Sequence, residues 1–358
     1  MSPDTNILAQ KLAKQIQASG PVSVSEYMRL ANAAYYARGD VFGVDGDFIT
    51  APEISQMFGE LIGIWLTDLW LRSGRAAKCH YVELGPGRGS LAADSLRTLE
   101  RFGVTPRVHF MESSAAMRAL QNQNVPQARF IEGIDDLPDD GPLFIVANEF
   151  FDALPVRQMI ATHSGWRERV VTRERGDKFS AVPGIQSTDA MVPPEFLGAP
   201  PSSVYETTPE TSAIVYEICG RLARQGGVLL IIDYGYGLPG LGSTLQAVKG
   251  HDMVDPFENP GDCDLTAHVN FLEIGNLARM RNLRVSGPVG QGQWLVNLGI
   301  DARTNSLIVQ SPEREIEIRA TRDRLVEASQ MGDLFKVLAV SADDWPLPEG
   351  FANAAPMA

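Results

Sequence analysis

The stretch "YVELGPGRGSLAADSLRTL", residues 81–99, places three glycines at alternate positions between an apolar run and a segment of helical period. No other part of the chain narrows the fold as much. A glycine turn at a strand end lets the backbone approach a ligand closely, and the first N–H groups of the helix that follows lack intrahelical partners. Two common ligand turns fail on spacing. A dinucleotide fingerprint wants a third glycine at position 90, where Ser90 stands, although Gly85 and Gly87 satisfy its first two places. A phosphate-cradling loop wants Gly-Lys-Ser/Thr, which this stretch lacks.

The surrounding pattern predicts an α/β architecture. From residue 78 strand-like and helix-like runs alternate: strands over 78–84, 107–112, 128–132 and 143–148, helices over 90–102 and 115–123. Three helical runs come first, over 7–18, 23–37 and 54–71, with a glycine-broken, ordered loop between the last two. After Asn148 the rhythm changes to short strand-like runs over 156–162, 166–173 and 178–182, punctuated by Gly165 and Gly176, which read as an antiparallel insertion. A helix over 209–224 and the strand "GGVLLIIDYG" resume the alternation. A Gly/Pro-rich stretch from 236 to 264 is too long for an ordinary connector and reads as a lid or mobile loop. Helices over 269–281, 293–299 and 313–328 and strands over 284–289 and 334–341 follow.

Composition bounds the function. A chain of 358 residues, 44% hydrophobic, can bury a full core as one elaborated domain. A net charge of −13 argues against nucleic acid and suits a basic substrate or partner. Three widely spaced cysteines fit neither a disulfide framework nor a zinc site, and His251 with its neighbouring aspartates matches no metal-loop spacing, so no metal is expected. No stretch approaches eighteen consecutive apolar residues, so neither membrane insertion nor a leader is expected, and the cytoplasm is the expected compartment. Oligomeric state leaves no mark in the sequence.

What remains of the glycine stretch is Glu83 two residues before Gly85, Gly87 and Gly89. An acid there suits a ligand with a positive amino group, which S-adenosylmethionine has and NAD lacks. Glu112 ends the second strand, where a carboxylate can accept both ribose hydroxyls of a nucleoside. In "EGIDDLP", Asp135 or Asp136 is placed to accept from an adenine amino group, and a helix cap is the alternative for either.

Five segments together, "GDFITAPEISQMFGE", "YVELGPGRGSL", "ANEFFDALPVRQ", "IIDYGY" and "DCDLTAHVNF", resemble the MidA-like methyltransferases, from about residue 23 to residue 340. Mitochondrial members of that family are complex I assembly factors that methylate arginine. The resemblance implies a Rossmann-like class I methyltransferase core with a mostly parallel seven-stranded sheet and S-adenosyl-L-methionine as donor. It also implies a protein acceptor, an arginine of a respiratory NADH dehydrogenase subunit. The expected organisation is an N-terminal helical extension over 1–75 and a core over 76–342, then a tail over 343–358. The core would hold the insertion at 156–207 and the Gly/Pro-rich lid or substrate loop at 235–268. Two other functions stay open: an assembly chaperone with a vestigial cofactor site, and a nicotinamide-dependent oxidoreductase, which Ser90 opposes.

An arginine acceptor needs carboxylates, because its guanidinium is charged at physiological pH and must be oriented and relieved of a proton before it can attack a methyl group. Glu149, just past the fourth strand, is the first candidate for a bidentate clamp and Asp152 the second. Helix and loop capping are their alternatives. Glu53 is a third candidate, because its loop precedes a helix and the resembling segments include it; favouring that helix N-terminus is its alternative. Asp233 ends the fifth strand and has the same topological placement as Glu149, with Tyr234 as an aromatic wall or hydroxyl; shaping the pocket floor is its alternative. His268 is a candidate proton acceptor or a structural hydrogen-bonding residue.

Overall fold

The structure, a computed structural model, describes residues 3–37, 50–174, 178–238, 240–250 and 252–352. The loop expected before residue 50, Gly176, His251 and the last part of the tail lie outside the described residues. Two compact units emerge, each assembled from three chain segments. One comprises Met1–Phe48, Asp152–Thr211 and Pro239–Asn270, the other Ile49–Phe151, Ser212–Leu238 and Phe271–Ala358.

The larger unit is the α/β core. Strands His80–Leu84, Arg107–Met111 and Arg129–Ile131 run parallel as consecutive neighbours. On the other side of His80–Leu84 lie Leu143–Asn148 and then Gly227–Tyr236, also parallel. The last strand, Phe335–Ser341, runs antiparallel between Gly227–Tyr236 and Arg284–Gly290. These seven strands form the expected mostly parallel, Rossmann-like sheet. Strand Leu143–Asn148 is buried along five of its six residues, as continuous apolar sequence and two covered faces require.

Helix Gln56–Arg72 belongs to this unit and packs on helix Ser90–Arg101. Gly59 and Gly63 permit the close approach, since a Cβ on Gly63 would lie 2.6 Å from the Ser95 carbonyl oxygen. Ser95 Oγ donates to the Gly59 carbonyl at 2.9 Å. The C-terminal part holds one helix that the sequence pattern did not suggest, Ile300–Gln310, which buries only Ile300 and Thr304 and so carries almost no amphipathic signal.

The smaller unit is built on the insertion. Strands Arg157–Thr162, Gly165–Arg173 and Phe179–Ser187 form the antiparallel meander; Val204–Thr207 pairs with the first of them and Val22–Ser23 with the second. The first two helices, Pro3–Ser19 and Val24–Tyr36, fall in this unit, while Gln56–Arg72 falls in the other. The physical reason is a shared core: Leu12, Tyr27 and Met28 bury with Val156, Val171, Phe179 and Leu265. Within the Gly/Pro-rich stretch, Gln246–Lys249, Asp252–Val254 and Asp264–Thr266 form a small antiparallel sheet. Strands of three or four residues leave too short an alternation to stand out among glycines and prolines.

Candidate active site

The chain leaves strand His80–Leu84 toward one edge of the sheet and later returns to add strands on its other side, so the sheet order reverses between His80–Leu84 and Leu143–Asn148. Ligands of open α/β sheets bind beyond the carboxyl ends of strands at such a reversal. Both the glycine turn and the Glu149 loop stand there.

Gly85, Gly87 and Gly89 all have positive φ, of 62°, 52° and 82°. At Gly85 a Cβ would press on the Phe150 ring at 2.9 Å. At Gly87 a Cβ would meet no atom within 4 Å, so the backbone here faces open space, as a turn that must meet a ligand requires. Gly89 is the N-cap of helix Ser90–Arg101, and its N–H donates to the Pro86 carbonyl at 2.7 Å. From the neighbouring helix Ala115–Asn124, Gln121 Nε2 donates to the Gly87 carbonyl at 2.7 Å and Asn124 Nδ2 to the Arg88 carbonyl at 2.8 Å. An open, glycine-lined turn with carboxylates at its flanks fits a nucleoside-bearing donor.

The expected donor-site acids divide into different situations. Glu112 is half-buried; its Oε1 accepts from the Ser114 N–H at 2.7 Å and its Oε2 from Gln121 Nε2 at 3.1 Å. Asp136 accepts the Glu132 and Gly133 N–H groups at 3.1 and 3.3 Å, which makes it the cap of its own turn. Asp135 is exposed, and its carboxylate makes no such bond. Glu83 is buried beside Tyr81, whose hydroxyl donates to its Oε2 at 2.7 Å, and burial pushes the carboxyl up to about 8. At neutral pH it is therefore mostly protonated, a state that the strand-and-spacing argument did not anticipate.

The acceptor candidates also separate. Glu149 adopts the left-handed conformation at φ 51°, which costs a non-glycine residue about 1–2 kcal/mol. Its N–H donates to the Ile232 carbonyl at 2.9 Å, and its Oε1 accepts from Ala51 N–H at 3.3 Å and Asn148 Nδ2 at 3.1 Å. Glu53 lies in the short helix Ala51–Ile54, where its Oε1 accepts from Ser90 Oγ at 2.5 Å. Segment 50–54 thus touches both the Glu149 loop and the first residue of the helix after the glycine turn.

Asp233 lies within strand Gly227–Tyr236. It is fully buried, its Oδ2 accepts from the Phe150 and Phe151 N–H groups at 3.3 and 3.0 Å, and its Oδ1 accepts from the Tyr234 N–H at 2.9 Å. A carboxylate that accepts three backbone N–H bonds braces the loop after Glu149. Tyr234 stacks on Phe335 with ring centroids 4.1 Å apart.

Asp152 and His268 fall in the smaller unit. Burial raises the Asp152 carboxyl to about 7, and its carbonyl accepts from the Ala267 N–H at 2.9 Å. His268 is half-buried, and burial lowers its pKa, with Glu206 opposing the shift, so the imidazole is neutral at physiological pH. Three residues at the larger unit's site escaped the sequence reading: Asn148, Phe150 and Gln121. Only Gln121 left a usable signal, a polar residue four positions after Met117 on the buried face of its helix.

The family described as "Putative S-adenosyl-L-methionine-dependent methyltransferase" matches residues 61–289. Curated relatives include the protein arginine methyltransferase NDUFAF7 homolog, mitochondrial, of Drosophila melanogaster, 36% identical over 93% of this chain and 84% of its own length. Protein arginine methyltransferase NDUFAF7, mitochondrial, of Homo sapiens is 33% identical over 95% of this chain and 84% of its own. Among solved structures, a Burkholderia thailandensis protein bound to S-adenosyl-homocysteine matches with a TM-score of 0.83 at 26% identity, covering 99% of this chain and 97% of that one.

The chain belongs to this family of class I methyltransferases, and S-adenosyl-L-methionine is its cofactor. The cytoplasmic placement is corrected by the same comparisons, since these relatives are mitochondrial proteins. Among the described residues no helix is long and apolar enough to cross a membrane, but that property does not discriminate between aqueous compartments.

Proposed function

We propose that the acceptor is the guanidinium of a protein arginine, in a subunit of the respiratory NADH dehydrogenase undergoing assembly. The observation that carries this reading is Glu149: a carboxylate held in a strained left-handed conformation, at the sheet reversal, next to the glycine turn. Strain of that kind persists only where the surroundings impose it, and it gathers at functional positions. The names of the NDUFAF7 relatives support arginine as the acceptor.

When bound, the donor supplies a methyl group activated by its sulfonium charge. The chain's own part is to present the attacking nitrogen. Glu149 accepts guanidinium N–H bonds, fixes the plane of the group, draws its positive charge away from the nitrogen that attacks, and takes up the proton that this nitrogen releases as the methyl leaves the donor sulfur. Asn148 Nδ2 and the Ala51 N–H hold Oε1 of Glu149, so the carboxylate is oriented before the acceptor arrives. Asp233 keeps the following peptide units in place. Gly85, Gly87, Gly89 and Glu112 serve the donor, and Asp135 is assigned to its adenine because Asp136 caps its own turn.

The test is incubation of the protein with methyl-labelled donor and a host-cell extract, followed by mass spectrometry of the labelled band. Label on an arginine of a NADH dehydrogenase subunit is the expected result. Label on another residue type or on a small molecule overturns the acceptor assignment, and donor binding with no transfer favours an assembly chaperone.

A further inference from the structure

Gln121 sits fully buried on helix Ala115–Asn124, on the face it shares with Met117. An apolar side chain would be the ordinary occupant of such a position. Its Nε2 instead donates both hydrogens, to the Gly87 carbonyl at 2.7 Å and to Glu112 Oε2 at 3.1 Å. Because both neighbours can only accept, the amide nitrogen must face them. Its Oε1 is left buried with no partner among the described residues. A buried orphan acceptor is costly, and a residue that carries one needs a compensating role.

We propose that Gln121 is a positioning residue of the donor site: it sets the Glu112 carboxylate for the ribose hydroxyls and ties that carboxylate to the glycine turn. The inference rests on Glu112 as the ribose acceptor. Glu112 has two fixed donors on its carboxylate, the Ser114 N–H on Oε1 and Gln121 on Oε2. The first is backbone and remains in any variant. Gln121 is the side chain that decides where Oε2 rests, and among the described residues it is the one whose side chain bonds both ligand-facing pieces, Gly87 and Glu112. A residue that merely stapled the helix to the turn would act equally on every part of the donor. One that aims Glu112 acts on the ribose.

The experiment measures, by calorimetry on the full chain, affinities for S-adenosylhomocysteine and for its analogue lacking both ribose hydroxyls. Wild type is compared with Glu112→Ala, Gln121→Met and the double variant. Gln121→Met keeps the volume and removes the orphan oxygen, and Gln121→Glu, which replaces donors by acceptors at equal size, serves if the first variant fails to fold. The expected loss for Gln121→Met is about tenfold on the ribose ligand and less than about twofold on the analogue, and the double variant loses no more than Glu112→Ala alone. An unchanged affinity for S-adenosylhomocysteine overturns the proposal, as does an equal loss on both ligands. If Glu112→Ala itself leaves both affinities unchanged, the ribose assignment of Glu112 is what has failed.

Discussion

The glycine turn and the Glu149 loop occupy the carboxyl ends of adjacent strands, and both contain residues at positive φ. They pay for it differently. The turn uses glycines, for which a left-handed conformation carries little steric penalty, and leaves its backbone facing open space at Gly87. The loop uses a glutamate, accepts the penalty, and braces the next two peptide units with the buried Asp233. A turn that offers backbone to its ligand can be glycine. A loop that offers a side chain cannot, and the role proposed for Glu149 rests on that contrast.

The sharpest way to break this comparison is Gly87→Val. A branched side chain in that open space occupies the volume a ligand needs, and donor affinity should fall by more than a hundredfold in a protein that still folds. Wild-type affinity by calorimetry would mean that the glycines serve only the turn. Next in size is Glu149. Glu149→Gln should retain donor binding while methyl transfer falls about a hundredfold, roughly 3 kcal/mol in the barrier. Glu149→Gly should also lose transfer, yet gain back part of the strain, so its melting temperature should not drop below that of Glu149→Gln. Near-normal transfer by folded Glu149→Gln returns attention to Glu53, Asp152 and His268.

A smaller effect tests Glu83. Its folded pKa, raised by burial from 4.5 to about 8, means that the folded chain holds a proton the unfolded chain has released across that interval. The stability it contributes is full below about pH 4.5 and is lost as pH rises through 8. Glu83→Gln removes the titration, so its melting temperature relative to wild type should climb from pH 5 to pH 8 by ~5 °C. A flat difference across that range would show a carboxylate already ionised in the fold. The smallest effects separate the two aspartates. Asp135→Ala should weaken donor binding a few-fold with no change in stability, whereas Asp136→Ala should cost about 1 kcal/mol of stability and leave affinity intact. The reverse pattern, from calorimetry and thermal melts, would exchange their roles.

Legibility followed the same divide. The turn was readable because a positive φ at fixed spacing all but demands glycine, and the strand–helix alternation around it placed the core sheet. The carboxylates were readable only as candidates. Glu149 follows one strand and Asp233 stands in the last part of another, and nothing local distinguishes one held in strain from one that accepts three N–H groups. Asp135 and Asp136 are neighbours, and a hydrogen bond to the turn four residues back separates them. Glu83 was legible as an acid in the right place but not as a protonated one, since the strands that flank it in the sheet, Arg107–Met111 and Leu143–Asn148, come later in the chain. Gln121 required the partner at the other end of its side chain.

The final strand, Phe335–Ser341, bears on how the chain is made. It lies between Gly227–Tyr236 and Arg284–Gly290, both of which emerge from the ribosome before it. Until it arrives, one of those strands has an open edge and the other lacks the neighbour that ties it to the sheet. Exposed edges of this kind invite pairing with other chains. The nascent protein can therefore hold the donor turn and the Glu149 loop before the sheet closes, because the strand that completes it is the last of the seven to be synthesised, and edge pairing with other chains is the hazard of that interval.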